Sequence, residues 1–349
     1  MKVDYIIVGQ GLAGSFLAWE LIHLGQRVMV VDREDPVTSS KVAGGICNPL
    51  AGKALRLSNT TKAALPIAQK FYWDAEEAMN QKLFHHTRML RVFQNATQHT
   101  AWNERATDPE YSNFWESADC IPSDLLAPHG LVEVKQSGWL DTSLFLASFQ
   151  NWLMERISYA VCPVDASTVD FSNHSVKWRN IDARGVVFCE GWALKENPLL
   201  QPVQADPAKG EILTIDCPAL AQETRILHSG VWMIPLGGGK FRVGSNYDHD
   251  FEDLSPTESA KIQIIDRLKN LIRADFEIID HQAAARPVIR RGIPSLGAIP
   301  NKPGGFVFNG LGSKGSLVGP YYAKMLADYL IDHKPLAKEI DVAQQFDFG

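Results

Sequence analysis

Residues 4–32 constrain the fold more than any other stretch of the chain. Asp4-Tyr5-Ile6-Ile7-Val8 is a short β-branched and aromatic run bounded by glycine, the pattern of a strand buried in a parallel sheet. Gly9-Gln10-Gly11-Leu12-Ala13-Gly14 comes next as a complete G-x-G-x-x-G. The stretch Ser15 to Leu24 then predicts a buried helix, Gly25 ends it, and Arg27 to Asp32 predicts a second strand closing on an acid. Asp32 lies 18 residues beyond Gly14, close to the spacing of a ribose-binding carboxylate. In this pattern Gly9 makes the tight turn, Gly11 admits a pyrophosphate against the backbone, and Gly14 lets the helix pack against the sheet. Free N–H groups and the positive end of the helix dipole then hold the phosphates. Strand, glycines, helix, strand and acid occur in order, which predicts dinucleotide binding. FAD and a nicotinamide cofactor share the adenosine diphosphate half, so the motif alone leaves both open.

The rest of the composition excludes several other classes. The 349 residues suggest two domains. A chain that is 45% hydrophobic and 21% charged is neither disordered, collagen-like nor coiled coil as a whole. With 34 Lys+Arg against 40 Asp+Glu, the net charge of −6 lacks the broad basic footprint of a nucleic-acid binder, although a local basic groove would survive that test. The 5 cysteines are odd in number and form no C-x-x-C, which points to reduced thiols in a cytoplasm. The acid at Asp4 and the shortness of the apolar run after it argue against a signal peptide, and no window reaches ~18 apolar residues. A soluble cytoplasmic protein without a membrane partner is the expectation. His85-His86 reads as a surface pair without metal-ligand spacing, no metal is expected, and no G-x-S-x-G announces a hydrolase.

The segment after the second strand bears on the cofactor. A simple nicotinamide dehydrogenase would continue as alternating strands and helices. Here Arg33-Glu34-Asp35-Pro36 leads into Ser39-Ser40-Lys41-Val42-Ala43-Gly44-Gly45-Ile46-Cys47-Asn48-Pro49, a small-residue loop suited to lie along an extended cofactor. Further on come Cys162-Pro163-Val164-Asp165, then Gly185 to Trp192 with Glu190 before Gly191, then Lys209-Gly210-Glu211. Late in the chain stand Val243-Gly244-Ser245-Asn246-Tyr247, Arg286-Pro287 with Ile293 to Gly297, and Phe306 to Ser316 with its Gly310-Leu311-Gly312-Ser313-Lys314-Gly315-Ser316 loop.

In this order the landmarks resemble the D-amino-acid-oxidase-like family of FAD-dependent amine oxidoreductases over nearly the whole chain. The late loop most resembles the branch that matures a wobble uridine in tRNA, where it reads close to G-L-G-S-R-G. The resemblance implies an α/β fold: a discontinuous Rossmann-like FAD domain of the glutathione-reductase type, plus an α+β substrate domain with a mainly antiparallel sheet. The expected pieces are 1–86, 138–205 and 286–349 for FAD, and 87–137 and 206–285 for substrate. It also implies FAD contacts at Gly9, Gly11, Leu12, Ala13, Gly14, Asp32, Arg33, Ala43, Gly44, Gly45, Val164, Gly191, Trp192 and residues 310–316. No cysteine lies in the late loop, so non-covalent FAD is expected. Independently of the family, a glycine loop opening a helix near the flavin pyrimidine would stabilise the negative charge that develops on reduction.

Amine oxidation by flavin is a positioning problem, and a substrate carboxylate calls for an arginine fork. Arg286 stands where relatives place that arginine and is the expected catalytic and substrate-binding residue. Arg290 and Arg291 lie close behind and could take its place or read a larger polyanion, and Arg56 resembles a second carboxylate position of the sarcosine-oxidase branch. Where that branch has a lysine thought to assist oxygen, this chain has Arg242. The leading expectation is therefore oxidation of a C–N bond of an amine or amino acid by hydride transfer to flavin N5, followed by imine hydrolysis. Demodification of carboxymethylaminomethyl-uridine in tRNA stays open, though net charge does not favour a tRNA partner. A nicotinamide-linked dehydrogenase and a catalytically silent flavoprotein are the readings from other classes.

Overall fold

A computed structural model describes residues 1–52, 54–171, 175–289 and 292–346. Its first sheet has six strands, in the order Ser295–Ala298, Gly305–Asn309, Gly185–Phe188, Tyr5–Val8, Val28–Asp32, Tyr159–Val161. All neighbours are parallel except Ser295–Ala298, which runs antiparallel to Gly305–Asn309 at the edge. The central strands Tyr5–Val8 and Gly185–Phe188 are buried throughout, which is why their sequences are apolar without alternation. One face is covered by the helices Leu12–His23, Asn59–Met79, Thr142–Met154 and Gly315–Asp332. Phe16, fully buried, sits among them, 4.9 Å from the Phe71 ring and 5.5 Å from that of Phe145. The other face packs on Trp178, Ile181, Leu194 and Val203.

The first helix begins at Leu12, so the last turn of the glycine loop is already helical. Gly9 has φ +102°, and a Cβ on Gly14 would overlap the Gly9 carbonyl. No other residue type permits that approach.

The second sheet has eight strands, in the order Glu277–Arg286, Ala208–Asp216, Lys240–Gly244, Val231–Gly237, Ile226–Ser229, Met89–Val92, Leu131–Val134, Trp115–Glu116. All pairings are antiparallel except that of Ile226–Ser229 with Met89–Val92. Register settles which side chains share a face. Arg91 opposes His228, His228 opposes Trp232, Trp232 opposes Gly244, and Gly244 opposes Ile212. On the same parity Gly210 opposes Ala284 and Ala208 opposes Arg286. The alternate residues Leu90, Leu227, Met233, Val243 and Leu213 form a separate core with Ile264 and Leu268 of the helix Glu258–Lys269. One face is thus sealed by a helix, and the other, bearing Arg91, Trp232 and Arg286, faces the first sheet's loops.

The stretch 96–116 carries short elements of its own. A helix spans Ala96–Ala106, followed by a 3-10 turn at Pro109–Tyr111 and the strand Trp115–Glu116. Asn95 caps the helix by accepting from the Gln98 N–H at 2.8 Å, and only Trp102 of the helix is buried, so it has no apolar stripe to read. His85 is half-buried and stacks on Trp139 at 4.2 Å, whereas His86 is exposed.

Candidate active site

A cavity of about 580 Å³ runs between the loops of the first sheet and the open face of the second. At one end lie the glycine loop and Asp32. The Asp32 carboxylate ends its strand and already organises the turn: Oδ2 accepts from the Gln10 N–H at 2.5 Å and Oδ1 from the Glu34 N–H at 2.6 Å. Gly9, Gly11, Leu12, Ala13 and Arg33 line this end, while Gly14 is turned toward Gly9 and does not. Ser40 accepts from the Leu12 N–H at 3.1 Å, satisfying one donor at the start of the first helix. Val164 lines the cavity beside Cys162, just past the strand that flanks Val28–Asp32.

The late loop closes the middle. Asn309, at the end of its strand, donates to the Gly191 carbonyl at 2.9 Å and accepts from the Gly310 N–H at 2.7 Å, fixing the two loops to each other. Residues 310–316 line the cavity and lead into the helix Gly315–Asp332. Tyr72 donates to the Ser316 carbonyl at 2.5 Å from the helix Asn59–Met79. Ala43, Gly44 and Gly45 line the opposite wall, and Gly191 and Trp192 complete it. Glu190 is also here. Burial pushes its carboxyl up to about 7, against the hydrogen bond from Asn197 at 2.7 Å and the charge of Arg33.

The far end is the open face of the eight-stranded sheet. Arg286 lies with its guanidinium over Gly210, where a Cβ would overlap it. It donates to Ser245 Oγ at 2.6 Å and to the Asn246 carbonyl at 3.3 Å, and sits 4.2 Å from the centre of the Tyr247 ring. Burial draws its pKa down. No acid among the described residues pairs with it, so its charge faces the cavity uncompensated. Trp232 packs against Gly44 and Gly244, joining the two walls. Arg242 donates to the carbonyls of Ala43 at 3.1 Å and Val42 at 2.5 Å, clamping the early loop to the sheet.

The structure therefore gathers the glycine loop, Asp32, the early and late loops, Val164 and Arg286 around one cavity. Arg56 is placed elsewhere: it is exposed and outside the cavity lining. Arg290 and Arg291 lie outside the described residues. Arg91, His228 and Trp232 line the cavity without belonging to any site motif, and Glu190 lines it from within the segment 185–192 without an expected role. Among the described residues, no cluster of His, Cys, Asp and Glu could hold a metal, and no helix is long and apolar enough to cross a membrane.

The family model for FAD dependent oxidoreductases (DAO) matches residues 4–329. The chain belongs to this family. It is an FAD-dependent oxidoreductase. Glycine oxidase of Pseudomonas aeruginosa is 24% identical over 96% of this chain and 97% of its own length. The tRNA 5-methylaminomethyl-2-thiouridine biosynthesis bifunctional protein of Burkholderia mallei is 23% identical over 99% of this chain but only 58% of its own length. Among solved structures, glycine oxidase from Geobacillus kaustophilus superposes with a TM-score of 0.80 at 16% identity, over 96% of each chain. The cavity fits FAD: it joins a helix N-terminus with free donors, a carboxylate at the ribose spacing and a second glycine loop, all on one continuous surface.

Proposed function

We propose that this flavoprotein oxidises an amine that carries a carboxylate, with Arg286 holding that carboxylate. The observation that carries this reading is a largely enclosed guanidinium that lines the cavity with no acidic partner among the described residues. Its named contacts, Ser245 Oγ and the Asn246 carbonyl, steady the group without neutralising it. A planar fork held in that way presents its remaining donors to a carboxylate.

In this reading, segments 1–86, 138–205 and 286–349 hold FAD without a covalent link, and segments 87–137 and 206–285 supply the substrate wall. Residues Gly9, Gly11, Leu12, Ala13, 32–33, 43–45, 164, 191–192 and 310–316 would bind the cofactor, with Gly14 acting through the close packing of the first helix, and the cofactor when bound would accept a hydride at its flavin N5. Arg286 anchors the carboxylate so that the neighbouring C–H points at the flavin. Trp232 and the loop around Gly44 exclude water from the reacting carbon. The carbon gives up its hydride, the nitrogen gives up a proton, and the resulting imine is hydrolysed by water to amine and carbonyl compound.

Both a free amino acid and a carboxymethylaminomethyl base satisfy this chemistry. The late loop and the Burkholderia mallei relative support the second, and the glycine oxidase relative supports the first. Anaerobic flavin bleaching against amino acids and modified nucleosides separates them. Arg286→Ala should raise the substrate concentration needed for half-maximal bleaching by about tenfold or more, as the loss of ~1.5–3 kcal/mol implies. Arg286→Lys should restore part of it, because an ammonium lacks the fork. Loss of FAD with normal substrate affinity in the remaining holoprotein would make Arg286 a structural residue.

A further inference from the structure

Arg91 raises a question that the proposed reaction leaves open. It sits mid-strand in Met89–Val92, is only 4% exposed, and lines the same cavity as Arg286. One η nitrogen contacts His228 Nδ1 and the other donates to the Gly52 carbonyl at 3.1 Å, while Nε has no hydrogen-bond partner. No acid among the described residues pairs with it. Burial draws its pKa down to about 10, so it stays charged at neutral pH. The acids that line the cavity, Asp32, Asp35 and Glu190, belong to the first sheet's loops, where the cofactor would lie. Where the sheet face lines the cavity it brings no carboxylate among the described residues: its ionisable groups there are Arg91, His228, Arg286 and the Tyr247 phenol beside Arg286, while Arg242 and Asp280 share the face outside the lining. A buried cation without a counter-charge is costly and is retained where a ligand supplies that charge.

We propose that the cavity has a second anion subsite at Arg91 and His228, and that the substrate is a small amine with two carboxylates, one at each arginine. This rests on the reading of Arg286 as the first carboxylate site. The guanidinium of Arg286 lies over Gly210 of the strand Ala208–Asp216 and that of Arg91 meets His228 of the strand Ile226–Ser229, three strand spacings across and two residues along, roughly 14–16 Å apart. Two hydrogen-bonded carboxylates would leave on the order of 6–8 Å between their carbons, the reach of about four to five methylenes. Trp232 and Gly244 form the floor between them, an apolar run suited to a methylene chain. The enclosure of Arg91 favours a small dianion over a polynucleotide phosphate, which could not leave its backbone outside and still reach it.

The test uses the FAD-loaded protein and non-oxidisable probes, with affinities measured by calorimetry at low salt. Adipate should bind at least about tenfold tighter than hexanoate. Succinate, too short to span both arginines, should have no such advantage over butyrate. Arg91→Met should abolish the adipate advantage while changing hexanoate affinity by less than about twofold, well below the tenfold of a lost charge pair. Equal affinities for adipate and hexanoate in the native protein would overturn the proposal, and this comparison stands even if the Arg91 variant does not fold. An adipate advantage that survives Arg91→Met would overturn it as well. Arg91-dependent binding of a tRNA that displaces adipate would overturn the assignment to a small molecule. Hexanoate binding indifferent to Arg286→Ala would instead overturn the first carboxylate site, leaving the Arg91 subsite to be judged by the loss of adipate affinity in Arg91→Met.

Discussion

Replacing Gly210 by alanine should damage substrate binding without removing any functional group. Gly210 is buried in the strand Ala208–Asp216, and its backbone is not in the left-handed region, so alanine imposes no conformational penalty. A Cβ there would overlap the terminal atoms of the Arg286 side chain. These atoms end a flexible chain, so the guanidinium yields and the sheet persists. Moving away means leaving the hydrogen bond to Ser245 Oγ and the stacking on Tyr247. A misplacement of about 1 Å can cost ~100-fold in rate, and a lost charge-assisted bond costs ~1.5–3 kcal/mol, about ten- to over a hundredfold in affinity. Anaerobic stopped-flow reduction should therefore show half-saturation shifted upward by at least about tenfold, with FAD content unchanged and the melting temperature within ~3 °C of the native protein. In the double variant Gly210→Ala, Arg286→Ala the loss should be no larger than in Arg286→Ala alone, because both act through one group. Unchanged half-saturation in Gly210→Ala, or additive losses in the double variant, would refute the placement of the carboxylate site.

Asp32→Ala should weaken FAD retention about tenfold or more, since it removes the carboxylate proposed to take the ribose, which also holds the Gln10 and Glu34 N–H groups. Asp35→Ala should cost far less, because Asp35, although it lines the cavity, is partly exposed and joins Arg33 in a surface pair of little worth; dialysis and then flavin absorbance check both. Glu190→Gln should raise the melting temperature at pH 8 and leave it nearly unchanged at pH 4. Burial lifts the folded carboxyl to about 7, so its penalty grows as pH rises from the unfolded value through 7, to a ceiling on the order of 3 kcal/mol.

The first 32 residues were legible because every signal there is local. Strand, turn and helix succeed one another in the chain, and Asp32 needs only its distance from Gly14. The late loop was legible for the same reason. Arg91 was not. In Met89-Leu90-Arg91-Val92-Phe93 it is one cation in an apolar run, and nothing local says whether the alternate face meets solvent or a cavity. That depends on pairing with Ile226–Ser229, more than a hundred residues away. Arg56 failed in the opposite sense. Its place in the sequence resembles a carboxylate position of the sarcosine-oxidase branch, but the structure buries its neighbour Leu55 and leaves Arg56 exposed, outside the cavity lining. The helix Ala96–Ala106 shows a third kind of limit. Periodicity reads a buried stripe, and a helix that buries a single tryptophan has none.

The arginine at position 242 also takes its meaning from the fold. In the sarcosine-oxidase branch that the sequence resembles, this position belongs to a lysine associated with oxygen. Here the strand Lys240–Gly244 carries Arg242 on the same parity as Gly244, so its side chain rises toward the first sheet's loops. Both η nitrogens end on backbone carbonyls, those of Val42 and Ala43, and burial lowers its pKa. A lysine offers one ammonium and could not take two carbonyls with a planar fork. The arginine is therefore committed to holding the early loop against the sheet. That bond spans some two hundred residues of sequence and fixes the distance between Gly44 and the wall that bears Arg286 and Arg91. Positioning a C–H bond beneath a flavin demands that these two surfaces keep a constant separation. Arg242 is not among the residues that line the cavity, so the charge at 242 serves that requirement through the loop.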